Sequence, residues 1–148
     1  MFVYTGDIRG QGRPRFRRDG TTYPDPKDVA YQSKIAFAYA CQCGLWFGGN
    51  PVSVTIDIVR RLPKDRPKRT ASEPDIYKPD IDNIAKAVLD ALNGVAYADD
   101  KQVISLTVRE HPRTRVEHES MRIVVATVPN DMIYYQVREG GTDEALRD

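Results

Sequence analysis

Cysteine, histidine and tryptophan are scarce in this chain: two, two and one among 148 residues. Cys41 and Cys43 are separated by one residue inside a helical pattern, where a disulfide between them would be badly strained. His111 and His118 stand apart from them and from each other, so no Cys/His zinc site is spelled out. The reading is two reduced, mostly packed thiols in a cytoplasmic protein. Long apolar runs are also missing. The longest, Ile35 to Phe47, is broken by Gln42 and Gly44 and falls short of the roughly 20 residues that span a bilayer. The opening MFVYTGDIRG lacks the basic-then-apolar order of a secretory signal. Internal repeats and low-complexity blocks are absent. Net charge is nearly absent too, at +1, and as a sum it points to no particular partner.

The distribution of charge is more informative. Five arginines (Arg9, Arg13, Arg15, Arg17, Arg18) and no acid lie between Arg9 and Arg18. Six basic residues (Arg60, Arg61, Lys64, Arg66, Lys68, Arg69) face one acid, Asp65, between Arg60 and Arg69. Acids gather from Asp75 to Asp100. A chain neutral in sum but polarised along its length can hold a polyanion locally.

With 41% apolar residues, the chain reads as one globular domain over 1–129. The last residues, 130–148, read as a tail that is partly docked or loose, with Tyr134, Tyr135 and Val137 as candidate docking residues. Phe2 to Tyr4 is a short strand. Arg9 to Tyr23, rich in Gly, Arg and Pro, is a loop. A helix opens at Pro26 or Lys27 and runs to about Cys43, with Ala30, Ile35, Ala38, Tyr39 and Leu45 as core positions. Pro51 to Arg60 alternates, placing Val52, Val54, Ile56 and Ile58 on one face of a half-buried strand. Arg61 to Lys78 contains three prolines and no apolar period, which is long for a structureless connection. A second helix buries Ile81, Ile84, Ala85, Val88, Leu89 and Leu92 at i, i+3, i+4 spacing, with Asp80 at its N-cap and Asn93-Gly94 at its end. Strands follow at about Val103 to Glu110 and Met121 to Val128, joined in hairpin fashion. The fold class is α+β: a small mixed sheet of about four strands with two principal helices.

The segment KPDIDNIAKAVLDALNGVAYADD, Lys78 to Asp100, carries the chemistry. Its plain reading is structural. Asp80 caps a helix, Asp82 and Lys86 form a surface i, i+4 pair worth a few tenths of a kcal/mol, and Asp99-Asp100 occupy a turn. Geometry offers another. Asp82 and Lys86 lie about 40° apart on the flank of the apolar stripe. Asp80 can turn toward that flank, and a reversal at Asn93-Gly94 can bring Asp100 back to the helix. Three close carboxylates repel unless a cation sits among them. Mg²⁺, with its preference for oxygen ligands and phosphate, suits such a site, and Lys86 would then hold a phosphate oxygen.

The run D-I-D-N-I-A-K, then L-D-A-L-N, then D-D resembles the signature of the RusA family of Holliday junction resolvases. The opening G-x-x-R-P-R and the Tyr-x-x-Pro segment before the first helix fit more weakly. The resemblance implies a homodimeric, Mg²⁺-dependent crossover junction endodeoxyribonuclease, with Mn²⁺ as a substitute metal. Such an enzyme makes paired symmetric nicks in four-way DNA, leaves 5′-phosphate ends, and serves DNA recombination and repair, often in prophages. It further implies Asp80, Asp82 and Asp100 as metal ligands, Lys86 as a catalytic lysine and Asp99 as an adjacent acid. DNA contacts fall on the basic loop (Arg13, Arg15, Arg17) and on the approach to the helix, including Lys78. Two other readings stay open: a non-catalytic, structure-selective DNA-binding protein, and a metal-dependent phosphoesterase of smaller substrates. Tyr23 and Tyr77 read as packing residues near basic loops, Trp46 and Phe47 as core or dimer contacts, and His111 and His118 as surface residues.

Overall fold

The structure is a computed structural model that describes residues 1–128; the expected tail, with Tyr134, Tyr135 and Val137, lies outside them. Four strands, β1 (Phe2–Thr5), β4 (Val52–Val59), β6 (Val103–Glu110) and β8 (Ser120–Thr127), form one mixed sheet in the order β1-β8-β4-β6. Helices α1 (Pro26–Gln42) and α2 (Ile81–Leu92) pack against each other, α1 also against β1 and α2 against β6. Two small ribbons complete the fold: β2 (Arg15–Phe16) with β3 (Thr22–Tyr23), and β5 (Ser72–Glu73) with β7 (Arg113–Thr114). This is the α+β class read from the sequence.

The alternation in β4 places it. Val52, Val54, Ile56 and Ile58 are fully buried, whereas Ser53, Thr55, Asp57 and Val59 are half-buried on the other face. Burying each such aliphatic side chain contributes about 1.5–3 kcal/mol over leaving it exposed, which favours β4 in the middle of the sheet. There it runs antiparallel to β8 and parallel to β6. The hairpin expected between the last two strands is therefore not formed. β4 lies between them, and the connection from His111 spans two strand spacings, about 10 Å.

Edge-to-face aromatic contacts seat α1 on β1. Phe2 meets Tyr39 at 5.2 Å between ring centroids, and Tyr4 meets Tyr31 at 5.5 Å. Tyr31, Ile35 and Tyr39, at i, i+4 and i+8, are the buried stripe of α1. Ala30 lies about 100° away from Tyr31 and is exposed. Leu45 follows Gly44, whose φ of +69° turns the chain off the helix, and is 59% exposed. Ala38 and Phe47 pack against the core, while Trp46 and Cys41 face outward. Cys41 is thus not the packed thiol expected, although both cysteines are free. His111 and His118 are surface residues, as expected.

In α2 the buried face is Ile84, Ala85, Ala87, Val88, Ala91 and Leu92. Ile81, expected in the buried stripe, is 42% exposed. Past Gly94 (φ +75°) the chain folds back, and the buried Tyr97 donates its hydroxyl to the Leu89 carbonyl at 2.9 Å. Among the described residues no helix is long and apolar enough to cross a membrane.

Candidate active site

The entrance of α2 is built by three segments. Asp80 holds the N-cap position with extended backbone (φ −68°, ψ 155°), but its side chain makes no cap hydrogen bond. That carboxylate is left uncommitted by the helix it begins. Asp80, Asp82 and Lys86 are exposed and form no ion pair among the described residues, so the expected surface pair between Asp82 and Lys86 is not made. From the second segment, Gln11 donates its backbone N–H to the Asn83 carbonyl at 3.0 Å. Gly10 is the residue that permits this approach: a Cβ there would sit 2.7 Å from Pro79 Cβ and 3.1 Å from Asn83 Cβ. Between loop and helix lies an open pocket of about 430 Å³, lined by Gly10, Gln11, Lys78, Pro79, Asp80 and Asn83.

The third segment is the approach from β4, and sequence reasoning missed what holds it. Arg60, just past β4, is 2% exposed. Its guanidinium donates to both Asp75 carboxylate oxygens, at 2.7 and 2.6 Å, and to the carbonyls of Tyr77 and Lys78, at 2.6 and 3.0 Å. Arg113 adds a bond to Asp75 at 2.9 Å. Burial alone would raise the Asp75 carboxyl, but the two guanidiniums outweigh it and hold it below its ordinary value. Glu110 stands nearby, 4.0 Å from Arg60, with one buried carboxylate oxygen lacking a partner. Burial, with Asp75 and Asp80 adding repulsion, raises its carboxyl against the opposing Arg60 and Arg113. No periodicity marks these residues. An acid inside a basic, proline-rich stretch was the one available signal.

Asp99 and Asp100 have different surroundings. Asp99 caps the 3₁₀ turn Asp100–Gln102: its carboxylate accepts from Lys101 N–H at 3.0 Å, and its own N–H donates to the Gln102 side chain at 2.8 Å. Gln102 anchors the turn by donating to the carbonyls of Gly48 and Asn50. The Asp100 carboxyl is raised by its hydrogen bond with Asp99, by partial burial, and by the charges of Asp99 and Asp90. Asp90, on α2, is one of the charges that act on Asp100. Asp82 and Asp90 are eight residues apart, about 12 Å along the axis at 1.5 Å per residue. The return after Gly94 brings the turn Asp100–Gln102 against α2. Among the described residues no three His, Cys, Asp or Glu side chains gather into a group able to hold a metal ion.

The basic residues divide into committed and uncommitted sets. Arg9 pairs with Asp28, Arg15 pairs with Asp25, and Arg17 lies over the Tyr23 ring at 5.2 Å. Arg66 pairs with Glu73, and Arg115 donates to the carbonyls of Arg66, Pro67 and Thr70. Tyr77 lies under Arg113 at 4.9 Å and Arg66 at 6.0 Å, a packing role like that of Tyr23. In the two basic segments and the approach to α2, Arg13, Arg18, Lys64, Lys68, Arg69 and Lys78 make no ion pair among the described residues and are free to face a polyanion; Lys27, Lys34, Lys86, Lys101 and Arg122, elsewhere in the chain, make none either.

Two comparisons bear on this arrangement. The sequence model of the family described as endodeoxyribonuclease RusA matches residues 5–126. An uncharacterized Bacillus subtilis protein, YqaN, is 32% identical over 130 residues, covering 78% of this chain and 92% of that protein.

Proposed function

The chain belongs to the RusA endodeoxyribonuclease family, and on that premise we propose that it is a homodimeric, Mg²⁺-dependent endonuclease resolving four-way DNA junctions by paired symmetric nicks. The observation that carries this reading is the uncommitted Asp80 carboxylate at the mouth of a pocket walled by the basic loop, with Asp82 and Lys86 on the next turns.

The donor set fits the metal. Asp80, Asp82 and Asp100 offer hard carboxylate oxygens and no soft ligand, which suits Mg²⁺ or Mn²⁺ rather than zinc or copper. When bound, such an ion neutralises charge at the scissile phosphodiester and lowers the pKa of water. The chain's own side chains do the rest. The Lys86 ammonium, one turn after Asp82, supplies positive charge to a non-bridging phosphate oxygen as negative charge builds there. Arg13, Arg18 and Lys78 hold flanking phosphates and fix the strand's register without reading bases. Asp99 is spent on its turn and is left out of the ligand set.

The separation of Asp100 from Asp80 and Asp82 bears on assembly. Within one copy, Asp80, Asp82 and Asp100 do not gather into one group able to hold a metal ion. A second copy related by a two-fold axis can supply Asp100 to the Asp80 end of the first and receive the same in return. β6 is an edge strand whose Ile104 and Leu106 are each 46% exposed, a surface suited to a second copy. Two such composite centres face opposite strands of a symmetric junction, which is what paired nicks require.

The test is a synthetic four-way junction beside a linear duplex of the same sequence, each with Mg²⁺ and with chelator. Symmetric nicks in the junction alone, abolished by chelator, are expected. Metal-independent junction binding with no nicks at any Mg²⁺ concentration would replace this reading with a non-catalytic DNA-binding protein.

A further inference from the structure

We propose that the buried Arg60–Asp75–Arg113 cluster is a positioning device for the cation-binding end of α2, acting through the carbonyls of Tyr77 and Lys78. The proposal rests on the reading of Asp80 and Asp82 as cation ligands and adds residues that the ligand pattern does not contain.

The connection from Arg61 to Lys78 is a long arch between β4 and α2. Packing fixes α2 from Ile84 onward, but an arch of that length leaves the residues that lead into the helix free to move unless it carries a constraint of its own. The structure supplies one at each foot. At the outgoing foot, the backbone N–H of Arg61 donates to Glu119 at 2.9 Å and that of Leu62 to the Thr114 carbonyl at 2.8 Å. At the returning foot, one guanidinium fixes a carboxylate and two successive carbonyls. Arg60 leaves the central strand of the sheet, so the reference frame is the most firmly packed part of the molecule. Lys78 precedes Pro79, whose ring restricts φ, and Asp80 follows. Few soft dihedrals separate the clamp from the ligand.

Stability alone does not account for this arrangement. The side chains of Arg60 and Asp75 are 3% and 0% exposed. Desolvating such a pair consumes much of its Coulombic gain, and well-packed apolar residues of similar volume often do as well or better. What an apolar plug cannot do is hold two consecutive carbonyls in place. A planar guanidinium with five donors can, and a lysine ammonium on a flexible stem cannot hold all four acceptors at once. The partner chemistry is that of an outer shell around a metal site, where groups that touch no metal orient those that do.

The experiment uses the full-length protein and the variants Arg60→Lys and Asp75→Asn. Mn²⁺ binding is measured by electron paramagnetic resonance without DNA, junction binding by gel shift in chelator, folding by thermal melting, and cleavage across a Mg²⁺ titration. Both variants are expected to remain folded and to bind junction DNA like wild type. Their Mn²⁺ affinity is expected to fall by about 10-fold or more, as for outer-shell substitutions elsewhere, with cleavage partly recovered at high Mg²⁺. Folded variants that bind Mn²⁺ as wild type does would overturn the proposal, even if their melting temperatures fall. Should Asp75→Asn fail to fold, Arg113→Lys alters only the outer arm of the cluster, and the same criterion applies to it. A wild type that cleaves and binds Mn²⁺ beside unaffected variants removes the positioning role alone. A wild type that does neither removes the underlying reading as well.

Discussion

Arg15 makes a two-pronged ion pair with Asp25, at 2.8 and 3.2 Å, while the other oxygen of Asp25 accepts from Lys27 N–H and caps α1. The arginine in the middle of the basic loop is thereby tied to the start of a helix. Arg13 and Arg18 have no such partner among the described residues. Replacing either by Ala is expected to weaken junction binding for any sequence and to flatten the salt dependence by about one counterion each. Arg15→Ala is expected to lower stability slightly, as a loosened exposed pair and cap would, with a smaller change in salt slope. Gel-shift titrations over a salt series, paired with urea melts, separate the two classes. Equal slope changes at all three positions would mean that the Asp25 pair gives way when DNA binds.

Gly10 sets how closely the basic loop meets α2. A methyl group there overlaps Pro79 and Asn83, which are backbone-anchored and cannot swing aside. Gly10→Ala is expected to push the loop outward, lengthening the Gln11 to Asn83 hydrogen bond and widening the pocket at Asp80. Cleavage should fall at least 10-fold while melting shifts by a few degrees, because misplacement of about 1 Å in a site is felt far more in rate than in stability. Wild-type cleavage by Gly10→Ala would show that the loop does not shape the site.

Asp57 on β4 and Arg109 on β6 are register partners, and the carboxylate also lies 2.8 Å from His111 Nε2. The hydrogen bond from Arg109, then that with His111, lower the Asp57 carboxyl from 3.8 to about 2. The sign follows from linkage: as pH falls, the unfolded chain takes up this proton before the folded one does, so the contribution is full above about pH 4 and is lost toward pH 2. Screening at this partly exposed site holds it to roughly 1 kcal/mol. Asp57→Asn should therefore be less stable than wild type near neutrality, and the gap should close as pH drops through that window. A gap that stays constant with pH would show that the pair does not titrate with folding.

The elements that a periodic pattern marks were legible before the structure. The alternation of Val52 to Ile58 predicted a half-buried strand, and its burial on one face is complete. The stripe from Ile81 to Leu92 predicted α2 and put Asp80 at the entrance, although Ile81 itself is exposed. Nothing periodic marks long-range pairing. The hairpin between the last two strands was expected because two strands joined by a short connection look like one, whereas β4 lies between them. The path that returns Asp100 to α2 depends on Tyr97 reaching the Leu89 carbonyl and Gln102 reaching Gly48 and Asn50, contacts that cross up to 54 residues of chain. Arg60 and Asp75 were invisible for the same reason: charged residues in a charged stretch read as solvated until their partners are known.

Subunit mixing offers the sharpest test of the composite centre. Asp80→Asn and Asp100→Asn should each abolish cleavage, since a neutral amide is a poorer Mg²⁺ ligand and leaves the cation unbalanced. Each should keep junction binding, and Asp80→Asn should keep its stability because Asp80 makes no side-chain cap bond to lose. If each centre draws Asp80 from one copy and Asp100 from the other, a mixed dimer of the two variants holds one centre with both lesions and one with none. Unfolding the two inactive variants together and refolding them as a mixture should then restore nicking, at up to about a quarter of the wild-type rate, because random pairing makes about half of the dimers mixed and each of those holds one working centre of two, but as single nicks that do not resolve the junction. If instead each copy carries its own complete site, both centres of every mixed dimer hold one lesion and no activity returns. Restored nicking by the mixture, set against silence from each variant refolded alone, separates a shared centre from a self-contained one without any assumption about how the subunits dock.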